Sequence, residues 1–322
     1  MQANIRNRKR IAMEKESKYL FGPVPSRRLG LSLGVDIVPL KVCSLNCIYC
    51  QLGRTPQTTV ERKEYVDIDE VLEELRERVG RGLRADYVTI SGSGEPTLNS
   101  RLGELVERIK GVCDIPVAIL TNGTLFDRVD VRAECAKADV VLPSLDAGDE
   151  ETFKRINRPD AHLELGRIIE GLVAFRAEYA GPIWLEVFLV GGVNTGAEQL
   201  EAIKRAVERL RPEKVHLNTA VRPTAEEGVA RLGPEKMEKI ARQFGDRCEV
   251  IADFVVKHPE VEAAGRSEDV LDMLKRRPCS LEDICAGLGV GKVEAGKYVS
   301  LLEQRGVISS EKRGETVFYK AK

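Results

Sequence analysis

The sequence lacks any long apolar run. No stretch of about eighteen apolar residues occurs in its 322 residues, so no segment is predicted to cross a membrane. The most apolar run, residues 183–190, is short and broken by Glu186, which is typical of a buried strand. The first twenty residues lack the apolar core of a secretory signal peptide. We therefore expect a cytoplasmic protein whose thiols stay reduced and free of disulfides.

The chain also has little net charge, but the charge is unevenly distributed. The total is −1, and 43% of the residues are hydrophobic, as in an ordinary globular protein. Residues 1–30 carry eight Lys or Arg against two Glu, whereas residues 266–322 carry eleven against nine acidic residues. Residues 1–20 form a basic arm. It is either a nucleic-acid contact or a solvated, partly disordered terminus.

Most of the eight cysteines are isolated, but three are close together in the segment Cys43-Ser-Leu-Asn-Cys47-Ile-Tyr-Cys50. Three thiolates can bind three irons of a [4Fe–4S] cluster. The fourth iron is then free to bind a substrate, as in other open metal sites. Zinc is an alternative, but a structural zinc site needs a fourth ligand, and no second Cys or Cys/His pair lies nearby in sequence. Chance clustering is the third interpretation.

The other five cysteines give no sign of a second metal site. Single cysteines are usually small buried hydrophobic residues. They are Cys113, Cys135, Cys248, Cys279 and Cys285. The three histidines are also isolated from one another. We therefore predict no auxiliary iron–sulfur cluster.

Between residues 31 and 244, a strand pattern followed by a helix pattern occurs six times. The predicted strands are 31–38, 87–90, 117–120, 139–146, 183–190 and 214–218, and the predicted helices are 66–81, 102–109, 128–138, 163–179, 198–210 and 234–244. This alternation predicts an α/β fold with a parallel sheet and helices outside it. Periodicity alone leaves an open sheet and a partial barrel as alternatives. Residues 21–30, rich in Gly and Pro, are predicted to form a rigid turn.

Polar and glycine residues follow several predicted strands directly. Ser91-Gly-Ser-Gly-Glu-Pro follows the second strand, Asn122 follows the third, and Ser144 and Asp146 end the fourth. Ligands bind at the carboxyl ends of the strands in both architectures. Glycines there let the backbone approach a ligand closely. The alternative is that these residues only make turns and caps.

The chain resembles the radical SAM superfamily in three features. They are the three cysteines, the aromatic Tyr49 before the last of them, and the Gly94-Glu95 pair. The resemblance implies a partial (β/α)6 barrel over residues 21–252. It also implies a [4Fe–4S] cluster bound by Cys43, Cys47 and Cys50, with S-adenosylmethionine (SAM) bound to the open iron.

The resemblance also implies which residues contact SAM. Gly94 and Glu95 match the segment that contacts the amino group of its methionine part. Polar groups at the positions of Asn122, Ser144 and Asp146 reach the SAM carboxylate and ribose. The implied reaction is reductive cleavage of SAM to methionine and a 5′-deoxyadenosyl radical. The electron comes from an external flavodoxin- or ferredoxin-like donor.

Within the superfamily, the chain most resembles proteins described as wyosine-synthase-like. That likeness rests on Gly22-Pro-Val-Pro-Ser-Arg-Arg28, which precedes the cysteines. Wyosine synthase itself carries a second cluster on upstream cysteines, whereas residues 1–42 here contain none. The wyosine reaction itself is therefore not predicted.

The pattern changes after a predicted linker at residues 253–266. Residues 267–322 are predicted to form three helices and a hairpin turning at Lys312-Arg313-Gly314, which resembles a winged helix-turn-helix domain. Three functions follow as hypotheses. The chain is a radical enzyme acting on a macromolecule such as tRNA, a radical enzyme acting on a peptide or protein, or a redox-sensing DNA-binding regulator. Gly94 and Glu95 speak against the third, since a sensor needs no SAM site.

Overall fold

The computed structural model describes residues 17–252, 267–288, 290, 292–314 and 316–322. Residues 1–16 of the predicted basic arm and the whole predicted linker, 253–266, lie outside this range. The described residues form one large hydrophobic core between residues 19 and 252 and a second one between residues 270 and 308. None of the described helices is long and apolar enough to cross a membrane.

Strands and helices alternate along the larger part of the chain. Its strands are β1 (Leu20–Ser26), β2 (Gly30–Val35), β3 (Tyr87–Ile90), β4 (Val117–Thr121), β5 (Val140–Pro143), β6 (Trp184–Leu189), β7 (Lys214–Thr219) and β8 (Cys248–Val250). Its helices are α1 (Ile68–Gly80), α2 (Leu102–Lys110), α3 (Val129–Cys135), α4 (Glu150–Ile156), α5 (Leu165–Glu178), α6 (Ala197–Leu210) and α7 (Pro234–Phe244). A short 3-10 turn covers Pro96–Leu98.

The strands from β2 to β8 run parallel and lie side by side in chain order. Hydrogen-bonded pairing joins β2 through β5 and, separately, β6 through β8. The bridges Val141 to Ile183 and Ser144 to Glu186 join the two groups. Doubly wound sheets reverse their strand order, whereas barrels keep it. In the described part of the chain β8 does not pair back to β1, so the barrel is partial, which confirms the predicted fold class.

The prediction of a rigid turn at residues 21–30 is wrong. Leu20–Ser26 is a strand that pairs antiparallel with β2 and forms one edge of the sheet. Pro23 and Pro25 misled the prediction, because proline is tolerated on edge strands and at bulges. The pairing register shifts between Phe21 and Val24, as a bulge there would produce.

The turn between β1 and β2 closes the lower end of the barrel. Leu29 packs inside it with Ala118, Val140 and Leu142 from the neighbouring strands. Arg28 forms an ion pair with Glu186 of β6. This turn therefore places a buried apolar side chain and a charged pair inside the barrel, below the carboxyl ends of its strands.

Arg27, in the same turn, spans the open side of the barrel. It donates hydrogen bonds to the carbonyl oxygens of Ile251 and Ala252, at 2.9 and 3.1 Å, and to Asn218 Oδ1 at 3.2 Å. Burial, aided by the nearby cation of Arg222, lowers the pKa of Arg27 to about 9. Arg27 thus connects the first strands of the sheet to its last ones.

The C-terminal part packs against the edge strand β1. It contains α8 (Ser267–Arg276), β9 (Cys279–Ser280), α9 (Leu281–Leu288), α10 (Lys292–Gln304), β10 (Ile308–Arg313) and β11 (Thr316–Ala321), with the sheet order β10-β11-β9. Val24 of β1 joins its core. Buried Arg222 and Asp283 form an ion pair at 3.0 Å across the boundary, and Arg276 pairs with Asp36 just after β2.

Candidate cofactor site

The cysteine segment leaves β2 and is held by backbone hydrogen bonds on two sides. Lys41 N donates to Ser93 O at 2.7 Å, and Glu95 N donates to Val42 O at 2.9 Å. Farther along, Ile48 N donates to Ile156 O at 3.0 Å. The segment is therefore fixed between the glycine-rich loop after β3 and the end of α4.

A nitrogen donor faces each of the three thiols. Asn122 Nδ2 lies 3.6 Å from Cys43 Sγ, and Asn157 Nδ2 lies 3.4 Å from Cys47 Sγ. Lys41 Nζ lies 3.0 Å from Cys50 Sγ. Donors aimed at sulfur favour the thiolate, which is the form that binds metal. Three thiols with such partners fit the ligand set of an iron–sulfur cluster.

Burial favours the neutral thiols while no metal is bound. It raises the pKa of Cys43 to about 12, with a contribution from the nearby carboxylate of Glu95. Burial also raises the pKa of Cys47 well above its usual range. Metal binding at these thiols therefore releases protons and becomes stronger as the pH rises.

Zinc finds little support in this arrangement. Among the described residues, no group of three or more His, Cys, Asp or Glu side chains is arranged to hold a single metal ion. A structural zinc ion needs four ligands converging on one point. The zinc interpretation of the sequence motif thus has no matching geometry in the described part of the chain.

Glu95 is buried, and both oxygens of its carboxylate accept hydrogen bonds from other residues of the protein. Oε1 accepts from Thr97 N, Thr97 Oγ1 and Thr121 Oγ1 at 3.0, 2.6 and 2.6 Å, and Oε2 accepts from Asn122 N at 2.7 Å. Burial raises the pKa of Glu95, and these hydrogen bonds oppose the rise. Glu95 therefore holds Asn122 beside Cys43, in addition to its predicted contact with SAM.

Gly94 leaves no room for a side chain. A Cβ atom there would lie 2.0 Å from Val42 O and 3.0 Å from Val38 Cγ2. The close approach allows the hydrogen bond between Glu95 N and Val42 O. The glycine thus allows the glycine-rich loop to pack directly on the cysteine segment, which is the close backbone approach that glycine permits.

Asp146 connects three parts of the site. Its carboxylate accepts a short hydrogen bond from Tyr49 Oη, one from Asn157 Nδ2 at 2.7 Å and one from Phe188 N at 2.8 Å. The Tyr49 ring stacks on Phe188, with ring centres 3.9 Å apart. Burial raises the pKa of Asp146 to about 6. Asp146 therefore fixes the cysteine segment against the end of α4 and strand β6.

A cavity of about 260 Å³ opens beside the cysteine segment at the carboxyl ends of the strands. All five predicted cofactor residues and one of the three cysteines line it. They are Cys43, Gly94, Glu95, Asn122, Ser144 and Asp146. The Ser144 hydroxyl has no hydrogen-bond partner among the residues described, so it is available to a ligand. The ion pair of Arg28 with Glu186 also lines the cavity.

Sequence reasoning missed Asn157, which contacts both Cys47 and Asp146. It was missed because α4, the helix that ends beside it, was not predicted. The helix has seven residues, but a start signal was present. Asp149 caps it by accepting from Thr152 N at 2.8 Å, and Asp is among the preferred residues at this position.

The comparison with known families decides the identification. A family model described as the radical SAM superfamily matches residues 37–194, which span the cysteine segment and the cavity. The chain belongs to the radical SAM superfamily. Its members use a [4Fe–4S] cluster and SAM, so the predicted cofactors are those of the superfamily. When bound, the cluster and SAM supply a 5′-deoxyadenosyl radical. The chain's own residues hold the thiols and shape the cavity.

The chain is also similar to curated proteins over nearly its whole length. The chain is 33% identical to a UPF0026 protein of Helicobacter pylori (strain J99) over 312 residues, covering 95% of this chain and 99% of that one. It is 37% identical over 310 residues to a protein of Brachyspira hyodysenteriae named GTPase Obg. That match covers 95% of this chain but only 45% of the Brachyspira protein.

A solved structure shows the same fold. The crystal structure of a radical SAM methyltransferase from Sphaerobacter thermophilus superposes with a TM-score of 0.50 at 18% identity. The match covers 68% of this radical SAM chain and 65% of the methyltransferase.

Replacing Lys41 with methionine is expected to make the cluster harder to reduce. Hydrogen bonds to cluster sulfurs and local charge set the reduction potential. A hydrogen bond from a charged donor contributes roughly 1.5–3 kcal/mol, or about 60–130 mV for one electron. We expect a fall of that size in a redox titration followed by electron paramagnetic resonance (EPR). Lys41→Arg should have a reduction potential close to that of the unaltered protein. Lys63→Met, at an exposed site, should leave the potential unchanged. An unchanged potential in Lys41→Met would refute this role.

Replacing Asp146 with alanine is expected to destabilise the metal-free protein. The change leaves the Tyr49 hydroxyl, the Asn157 amide and Phe188 N without their buried acceptor, at about 1–3 kcal/mol for each group. Thermal unfolding followed by circular dichroism should show a midpoint lower by at least about 6 °C, since each kcal/mol lowers it by about 2–4 °C in a large domain. Glu164→Ala is the control, because Glu164 is exposed and makes no capping hydrogen bond. Equal midpoints for the two variants would show that the Asp146 contacts stabilise little.

Proposed function

We propose that this radical SAM enzyme modifies a macromolecule, and that RNA such as tRNA is its substrate. The observation that carries the enzymatic part is the position of the three thiols. Cys43 lines a cavity at the carboxyl ends of parallel strands, and each of the three thiols receives a nitrogen donor. The RNA part rests on the C-terminal region.

The order of elements from α8 to β11 supports an attached recognition domain. One helix, a short strand, two helices and a hairpin follow one another, and the short strand β9 pairs with β11. This order is typical of a winged helix-turn-helix domain, in which the second helix of the turn contacts nucleic acid. The hairpin tip carries Lys312 and Arg313, as the wing of such a domain often does. Basic side chains at a tip of this kind suit phosphate contacts.

A peptide or protein substrate is the second candidate. It is favoured by the modest charge of residues 266–322, where eleven basic residues face nine acidic ones. Lys292 at the start of α10 is also neutralised by an ion pair with Glu282 at 2.9 Å. Duplex-binding domains usually present a strongly basic face. The wyosine-synthase-like segment at residues 22–28 supports an RNA substrate more than a peptide, so RNA remains first.

The test uses RNA from a strain that lacks the gene. The reconstituted enzyme is incubated without oxygen with dithionite, SAM and this RNA, and the nucleosides are analysed by mass spectrometry. We expect a new modified nucleoside and 5′-deoxyadenosine in proportion to it. Formation of 5′-deoxyadenosine that is stimulated by cellular peptides, with no change in any nucleoside, would favour the second candidate. The Cys47→Ala protein is the control in both reactions.

A further inference from the structure

A second, larger cavity lies between the barrel and the C-terminal region. Its volume is about 710 Å³, and it lies next to the segment that carries the cysteines. The barrel contributes Leu40, three residues before Cys43, and Gln51 and Leu52, the two residues after Cys50. We call this cavity the interdomain cleft.

Basic side chains dominate the interdomain cleft. Six cations and one carboxylate line it, namely Lys18, Lys275, Arg276, Arg277, Lys320 and Lys322 with Asp272. Lys18, Lys275 and Arg276 are engaged in ion pairs with Glu70, Asp272 and Asp36, respectively. Lys320 and Lys322 are exposed and form no ion pair with any residue that the structure describes. The cleft is therefore suited to an acidic partner.

We call the cavity of about 260 Å³ beside the cysteine segment the SAM cavity. The interdomain cleft and the SAM cavity lie on opposite faces of the glycine-rich loop. Gly92 and Gly94 line the SAM cavity, whereas Ser93, between them, lines the cleft. The chain bends at residues 92–94, so neighbouring residues of this loop face different cavities. Arg276 secures this wall, because its guanidinium donates to Ser93 Oγ at 2.8 Å and pairs with Asp36. A partner in the cleft thus approaches the cysteine segment from the side away from SAM.

The position of the cleft distinguishes between two kinds of acidic partner, a substrate and an electron donor. A substrate must reach the SAM cavity, which shares no lining residue with the cleft. An electron donor needs only to come close to the cluster. Gln51 and Leu52 directly follow Cys50, whose sulfur accepts from Lys41. The cleft therefore favours a donor over a substrate.

The cleft also contains an exposed apolar side chain. Leu40 is 63% exposed, an unusual exposure for a large hydrophobic side chain, and it lies among the basic residues. Small apolar centres with charged rims are common at protein interfaces, and complexes that transfer electrons are typically small and transient.

We infer that the interdomain cleft is the docking surface for an acidic, low-potential ferredoxin-type protein that reduces this enzyme. The cluster that Cys43, Cys47 and Cys50 would hold would gain one electron, and the iron–sulfur cluster of the docked donor would lose it. No bond forms or breaks. The inference rests on the reductive chemistry of the superfamily and is independent of the substrate proposed above.

The first test measures binding and needs no cluster. A bacterial ferredoxin is titrated into the metal-free protein at low salt by isothermal titration calorimetry. For Lys320→Glu/Lys322→Glu we expect the dissociation constant to rise at least about tenfold, as reversal of interface charges commonly causes. The control is Lys236→Glu/Lys239→Glu, which makes the same change of charge at exposed positions of α7 outside the cleft. Its affinity should match that of the unaltered protein.

The second test measures 5′-deoxyadenosine with two reductants. With the ferredoxin, the cleft variant should be at least about tenfold slower than the control variant, whereas with dithionite the two should be equal, because dithionite needs no docking surface. Equal ferredoxin binding by the two variants would overturn the inference. So would an equal loss with both reductants, which would indicate a structural defect. Loss of RNA binding with ferredoxin binding unchanged would also overturn it and assign the cleft to the substrate. Failure to modify RNA would affect only the proposed function.

Discussion

Replacing Cys47 with alanine is expected to reduce 5′-deoxyadenosine formation to the level of a protein-free control. Only three thiols bind the cluster in this account, so the loss of one leaves two irons without a protein ligand. The change also removes the sulfur that accepts from the Asn157 amide. Anaerobic reconstitution followed by iron and sulfide analysis should show little or no [4Fe–4S] cluster. Chromatography should show no nucleoside product.

Cys113→Ala is the matched control for this prediction. Cys113 is also partly buried, but it packs against the hydrophobic core, its sulfur donates to the carbonyl oxygen of Ile109 at 3.9 Å, and it lies outside the cavity lining. We expect normal iron content and normal product for this variant. Full product from Cys47→Ala would mean that the cluster is bound elsewhere, and the assignment of the cysteine segment would then be wrong.

Replacing Gly94 with alanine is expected to weaken SAM binding by about 100-fold or more. The new methyl carbon would lie 2.0 Å from Val42 O, whereas real contacts of this kind stay beyond 3.0 Å. Because Val42 O is a backbone atom, the loop or the cysteine segment must move by about 1 Å. Misplacement of about 1 Å can cost about 100-fold in the rate of a preorganised site, and we expect a loss of similar size in SAM affinity. Overpacking should also lower the free energy of unfolding by about 1–3 kcal/mol.

Gly166→Ala provides the comparison for Gly94→Ala. Gly166 lies in α5, and nothing lies within 4 Å of an added Cβ. Alanine there should leave SAM binding unchanged and raise stability by up to about 1 kcal/mol, since glycine is unfavourable inside helices. Calorimetric titration of SAM into both reconstituted proteins, with thermal unfolding of the metal-free forms, measures both effects. Equal SAM affinities would show that Gly94 is not part of the SAM site.

Much of the barrel could be predicted from the sequence because its signals are local. The strand predicted at residues 87–90 is β3, and the polar residues after β3, β4 and β5 meet at one cavity, as expected for parallel strands. The cysteine spacing indicated the cluster for a chemical reason, since three thiols cannot complete a zinc site but can leave one iron open.

The parts that were missed depend on tertiary contacts. Leu20–Ser26 pairs as an edge strand although its prolines indicate a turn, because only a central strand excludes proline. The sequence also could not show that Thr121 and Asn122 donate to the carboxylate of Glu95, or that Phe188 N donates to Asp146, since these donors come from other segments of the chain. Similarly, the contact of Arg276 with Asp36 spans 240 positions of the chain.

The central claim is that Cys43, Cys47 and Cys50 hold a cluster with one iron open to SAM. EPR spectroscopy of the dithionite-reduced, reconstituted protein, recorded before and after addition of SAM, tests it most directly. We predict the signal of a reduced [4Fe–4S] cluster, with g values that change when SAM binds. A spectrum that SAM leaves unchanged, or a reconstituted protein that contains zinc in place of iron, would contradict the claim.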